Sequence, residues 1–139
     1  MRKIALDIGD VRIGIATSDP MGIIASGYET YTRTKNEEKD LIYFAELAKN
    51  KQCDTFVLGL PVNMDGTEGL RAVLVREFGE KLKQYTDIKV IFQDERLSTV
   101  SAEKALIEGG MRREDRKKVI DKVAASIILQ SYLDKIKKY

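Results

Sequence analysis

Residues 3–8 (KIALDI) form a short apolar run interrupted by a single acid, Asp7. The run predicts a buried strand closed by a Gly9-Asp10 turn. VRIGIATS (11–18) predicts a second strand and hence a hairpin. IASGYETYT (24–32) predicts a third, with β-branched and aromatic residues alternating with small or polar ones. From Asn36 to about Lys51 the period becomes helical, with Leu41, Phe44, Ala45, Leu47 and Ala48 on one side. TFVLGL (55–60) does not alternate, as expected of a strand covered on both faces. After Pro61 a polar loop leads to a helix over about 67–85, with Leu70, Val73, Leu74, Phe78 and Leu82 in one stripe. Asp65 followed by Glu68 has the look of a capping pair at its start. KVIF (89–92) is a further strand. A helix then starts at Ser98 or Thr99, both good N-caps, and stops at Gly109-Gly110. The last helix runs from about Glu114 to Ile136.

Three strands in hairpin connection, followed by helix, strand, helix, strand, helix and helix, give an α/β chain. Helices between the later strands require right-handed crossovers and a parallel portion of sheet. The expectation is a mixed five-stranded sheet, three antiparallel strands then two parallel, flanked by helices. Neither repeats nor linkers divide it, and a length of 139 residues predicts a single domain over 1–139. Such a fold hosts many functions.

Composition narrows the chemistry. Histidine is absent and Cys53 is the single cysteine, so the commonest general base and an ordinary zinc site are both excluded. Hydrolysis would have to run on carboxylates, lysines, hydroxyls or a hard metal ion. One cysteine without a partner, no export segment and no apolar run near the roughly 20 residues of a membrane span predict a cytoplasmic protein with no membrane association. Net charge is only +2, but residues 111–139 carry nine Lys/Arg against four Asp/Glu. That basic end reads either as a face for nucleic-acid phosphates or as a solvated amphipathic helix.

Three acids stand in places that favour burial or a site. Ile4, Leu6 and Ile8 share one face of the first strand, which leaves Asp7 beside Ala5 on another largely covered face. An ionised carboxylate there needs a cation, hydrogen-bond donors or a raised pKa; the alternative is an acid capping the next turn. Asp94 and Glu95, in QDERLST, follow a parallel strand at its carboxyl end, where open α/β sheets place their sites; the alternative is a solvated loop. Asp121 borders the stripe of Ile120, Val123, Ala124, Ile127 and Ile128 on the last helix, unless it pairs with Lys117 or Lys118. If Asp7, Glu95 and Asp121 converge, oxygen-only ligation suits Mg²⁺ or Mn²⁺. Such clusters support two-metal phosphoryl transfer, which needs no histidine.

LDIGDVRIGIATSD, VLGLPVNMDGTEG, DERLST and VIDKVAASIILQSYL, in that order and spacing, resemble the YqgF/RuvX family. The resemblance implies a ribonuclease H-like fold, with Asp7, Glu95 and Asp121 as the metal-binding, catalytic set. It also implies a bacterial cytoplasmic nuclease that matures the 5′ end of pre-16S rRNA. Some members are described instead as Holliday junction resolvases, by relation to RuvC. In that relative an essential Glu comes from the strand matching TFVLGL, whereas Gly59-Leu60-Pro61 stands here and Glu95 must substitute. Ile8, Asp10 and Val11 depart from the Pro, Thr and Lys of many members; Asp10 either tunes the metal site or caps the turn.

Candidate substrate contacts are Arg12, Asn63, Arg96, Arg112 and Arg113, with Ser98 and Thr99 at a helix amino end suited to a phosphate. Gly9 would leave room for the phosphate. GLPVNMDGTEG lacks the Gly-Lys-Ser/Thr ending of a nucleotide P-loop. The expected partners are nucleic acid, pre-rRNA ahead of a DNA junction, and a pre-ribosomal particle, with the protein a monomer or weak homodimer. A non-catalytic rRNA-binding assembly factor is the alternative from a different class. An actin-like or sugar-kinase ATPase would need a second such domain.

Overall fold

A computed structural model describes residues 1–95 and 98–137, with side chains of the 98–101 segment excluded. The elements are β1 (Arg2–Ile8), β2 (Arg12–Ser18), β3 (Ala25–Thr32), α1 (Glu37–Asn50), β4 (Cys53–Leu60), α2 (Leu70–Leu82), β5 (Lys89–Asp94), α3 (Ser98–Glu108) and α4 (Arg113–Ile136). The sheet order is β3-β2-β1-β4-β5. β1 pairs antiparallel with β2, and β2 with β3, while β1–β4 and β4–β5 are parallel. The mixed sheet expected from the pattern is therefore the one that forms.

Alternation along β1 sorts the core into two layers. Ile4, Leu6 and Ile8 join Ile13, Ile15, Phe56 and Leu58 under α1 and α2. Ala5 joins Ala16 and Val57 on the opposite face, beneath Ala125, Ile128, Leu129 and Leu133 of α4. The first layer is built from large side chains and the second, on the sheet side, from small ones, so α4 lies close to the strands. A Cβ placed on Gly14 would stand 2.0 Å from the Asp121 carbonyl oxygen, and one on Gly27 3.2 Å from that of Lys122. β4 is buried on both faces, as its unbroken apolar run requires. Cys53 is buried, and burial pushes its thiol pKa up, which leaves it an inert hydrophobe.

Three local expectations are corrected. α2 starts at Leu70 rather than near residue 67, because its would-be caps are used elsewhere. Asp65 accepts from the Thr67 amide and hydroxyl at 3.0 and 2.7 Å, and Glu68 takes a two-point bond from Arg76. The buried face of α2 is also rotated from the predicted stripe. Ala72, Val75, Phe78, Gly79 and Leu82 face the core, whereas Leu70, Val73 and Leu74 are exposed. The Phe92 ring of β5 packs on Gly79, where a Cβ would lie 2.6 Å from it. β5 also continues two residues beyond KVIF, pairing Gln93 with Gly59 and Asp94 with Leu60. Asp94 thus ends a strand instead of entering a loop. Among the described residues, no helix is long and apolar enough to cross a membrane.

Gly14→Ala is expected to destabilise the protein by about 1–3 kcal/mol, because its methyl group must displace helix backbone rather than a flexible side chain. Gly109→Ala, which meets only ordinary contacts at 3.5 Å and beyond, should stay within about 0.5 kcal/mol. Urea denaturation of the two variants measures the difference.

Candidate active site at the carboxyl end of the sheet

Asp7 is the penultimate residue of β1, and Gly14 of β2 is its cross-strand partner. Its face is the one beneath α4. Because Gly14 has no side chain, the Asp121 backbone rests against β2 directly opposite Asp7. A second glycine acts on the other side of β1. A Cβ on Gly59 of β4 would stand 2.9 Å from Glu95 Cγ, so the Glu95 side chain folds over that glycine. The Glu95 amide donates to the Leu60 carbonyl at 3.1 Å, which carries the β4–β5 pairing one residue past the strand. Gly59 stands where the related resolvases are expected to carry their acid, and the space it leaves is shared by Ile128 of α4, 2.5 Å from a Cβ there, and the Glu95 side chain. The three acids thus come from a central strand, the end of an edge strand and the covering helix.

Electrostatics report the same convergence. The Asp7 carboxyl is pushed up to about 7, first by burial, then by the negative charges of Glu95 and Asp121, with Arg71 opposing. Asp121 does not pair with Lys117 or Lys118 as one reading of the sequence allowed. Its Oδ2 instead accepts from Arg12 Nε at 2.9 Å, and the Arg12 side chain remains half exposed. Arg12 is therefore placed beside one of the three acids.

The turn that follows Asp7 is held from the opposite face. Arg71 donates to Asp10 Oδ2 at 3.2 Å and to the Ile8 carbonyl at 3.3 Å, and Arg33 donates to the Gly9 carbonyl at 2.8 Å. Asp10 therefore partners Arg71 rather than serving only as a turn cap. Gly9 is required by the turn itself: a Cβ there would lie 2.5 Å from the Arg12 carbonyl oxygen. Arg71 is the site residue that sequence reasoning missed. The available signal was its place in the first turn of a helix entered from the carboxyl end of a strand.

The remaining candidates are dispersed. Asn63 is exposed, and its side chain donates to Thr67 Oγ1 at 3.0 Å within its own loop. Arg112 precedes α4 and contacts Asp115 at 3.5 Å. Arg113 opens that helix, about 12 Å along its axis from Asp121. Arg96 and the side chains of Ser98 and Thr99 lie outside the described residues.

The donor set suits a hard divalent cation: every candidate ligand is a carboxylate oxygen, and burial beside two like charges leaves Asp7 short of compensation. In the present arrangement, no three acids among the described residues are gathered closely enough to enclose an ion. The Asp121 Oδ2 is engaged by Arg12, so an ion bound through that oxygen would displace the guanidinium.

Comparison with known proteins agrees with this architecture. The family model described as "RuvX: Holliday junction resolvase" matches residues 1–135. A Syntrophomonas wolfei protein named "Putative pre-16S rRNA nuclease" is 50% identical over 134 residues, 96% of this chain and 94% of its own. A Clostridium botulinum (strain Eklund 17B / Type B) protein of the same name is 45% identical over 138 residues, 99% of this chain and 100% of its own. Among solved structures, Thermus thermophilus RuvC in complex with Holliday junction substrate aligns over 99% of this chain and 96% of its own. Its TM-score is 0.58 at 10% identity, a likeness of fold, and the sheet has the expected ribonuclease H-like arrangement.

The raised Asp7 pKa has a signed consequence for stability. Between pH 4 and 7 the folded protein retains a proton that the unfolded chain has lost, so this group's contribution to stability falls as pH rises through that window. Removing the titrating group in Asp7→Asn should therefore raise stability relative to wild type progressively from pH 4 to 8, by up to about 4 kcal/mol. Thermal melts in EDTA across that range test this, and a pH-independent difference would contradict it.

Proposed function

The chain belongs to the RuvX family, and on that premise we propose that it is a divalent-metal-dependent nuclease that hydrolyses phosphodiester bonds in 5′-end maturation of pre-16S rRNA. The observation that supports the reading is the buried Asp7 carboxyl, raised to about 7 by burial and by the negative charges of Glu95 and Asp121 nearby. Asp7, Glu95 and Asp121 are the proposed ligands and catalytic set, for Mg²⁺ or Mn²⁺ in a two-metal site. When bound, the ions supply a nucleophile at neutral pH and stabilise charge on the leaving oxygen.

The chain's own residues do the rest. Asp7, on the most central of these elements, is the fixed ligand, because the turn beyond it is tied down by Arg33 and Arg71. Glu95 and Asp121 approach from either side and set the width of the site. Arg12, half exposed at the acids, contacts a backbone phosphate. Arg112 and Arg113 at the start of α4, with Arg96, Ser98, Thr99 and Asn63, belong to a wider track for the same strand. The protein works in the cytoplasm as a single nuclease domain, on free precursor or within a pre-ribosomal particle, as a monomer or weak homodimer. The RNA substrate is favoured by the naming of relatives at 45–50% identity, against a likeness to RuvC that is one of fold.

Cleavage of a pre-16S rRNA leader in Mg²⁺ or Mn²⁺ is the test. Asp7→Asn should slow it about a hundredfold or more, since even residues that only orient metal ligands cost 10–100-fold when lost. Junction resolution is the second reading, favoured by the family description and the RuvC fold. Preferred incision of a labelled four-way junction over the rRNA leader would reverse the order. RNA binding without cleavage, unaffected by Asp7→Asn, would instead mark a non-catalytic assembly factor.

A further inference from the structure

The Arg12–Asp121 pair has a consequence that depends on the metal-nuclease reading above. Asp121 supplies one of three acids around Asp7, yet its Oδ2 is already bonded to Arg12 Nε at 2.9 Å. That guanidinium belongs to β2, the strand on which α4 rests, and Arg12 shares the face of Gly14 and Ala16. It therefore stands on the same face and at the same end of the sheet as Asp7, the cross-strand partner of Gly14. The Arg12 side chain is 51% exposed and that of Asp121 24%, so the cation can leave for solvent while the carboxylate stays. An ion pair exposed on one side is worth little and is readily exchanged.

We propose that Arg12 and a divalent cation compete for the Asp121 carboxylate, and that cation binding thereby frees the Arg12 guanidinium for a phosphate of the nucleic-acid strand. Arg12 is the internal counter-ion of the metal-free protein and a phosphate contact of the loaded one. Two properties follow. Arg12 opposes metal binding, by holding one ligand and by placing a positive charge beside the site. Metal and nucleic acid then favour one another's binding, because each stabilises the state in which the Arg12–Asp121 bond is open.

The test uses Arg12→Gln, with Arg12→Lys as a second variant that retains the charge. Mn²⁺ affinity is read from the free-ion electron paramagnetic resonance signal, and RNA affinity from the anisotropy of a labelled leader oligonucleotide in Ca²⁺, with its integrity checked on a gel. Arg12→Gln should bind Mn²⁺ about three- to tenfold more tightly than wild type, with Arg12→Lys between them. RNA affinity of wild type should rise on adding Ca²⁺, with a smaller rise in Arg12→Gln, whose salt dependence in Ca²⁺ should be shallower by about one phosphate contact. Mn²⁺ affinity unchanged or weakened in a folded Arg12→Gln would overturn the inference and leave Arg12 as a pin between β2 and α4. If Arg12→Gln fails to fold, Arg12→Lys decides, and wild-type affinity in it counts against the inference. If wild type itself binds no Mn²⁺, the metal-nuclease reading falls and the inference with it.

Discussion

The close passage of α4 over β2 is the constraint on which the functional end of the molecule depends. Helices ordinarily pack on a sheet through two layers of side chains, which keep their backbones about 10 Å apart. At Gly14 one of those layers is missing, and the carbonyl of Asp121 occupies the space where a Cβ would project. A helix held at that distance can present a short acid to an acid on the neighbouring strand. With a longer gap, Asp121 would face solvent beside the lysines of its own helix.

A second removal of bulk completes the arrangement. Gly59, two strands from Gly14, admits the Glu95 side chain from beyond β5. Asp7 thus receives negative charge from both sides, and its carboxyl rises to about 7. A protein selected for stability alone would gain by replacing such an acid. Retaining it beside two others makes physical sense when a divalent cation supplies the missing charge. Arg12 and Arg71 meet part of that demand in the metal-free chain, one at Asp121 and one across the turn after Asp7.

Much of this was legible in the residues. Alternation along KIALDI correctly separated Ile4, Leu6 and Ile8 from Ala5 and Asp7, and the unbroken run TFVLGL correctly placed β4 in the sheet interior. The α2 stripe was misread because Leu70, Val73 and Leu74 follow helical spacing as well as the true core residues do. Contacts between elements separate the two, with Phe92 of β5 seated on Gly79 and Phe44 of α1 against Phe78. The same limit applies to the site. Asp7, Glu95 and Asp121 could be picked out as acids in unusual places, and the four ordered motifs grouped them. The glycines beside these acids act through contacts 36 and 107 positions apart, Gly59 with Glu95 and Gly14 with Asp121, which no local pattern records. Arg71 escaped notice because its role arises from α2 reaching the β1–β2 turn.

The central claim is that Asp7, Glu95 and Asp121 form one cation-binding unit although they arise from three separate elements. Its most direct measurement is calorimetric titration of Mn²⁺ into wild type and into Asp7→Asn, Glu95→Gln and Asp121→Asn, each first shown to be folded. Each substitution should weaken binding at least about tenfold, with Asp7→Asn the most damaging, because loss of one member of a shared ligand set is felt by the whole. Wild-type affinity in any one of the three folded variants would remove that acid from the site, and wild-type affinity in all three would contradict the account.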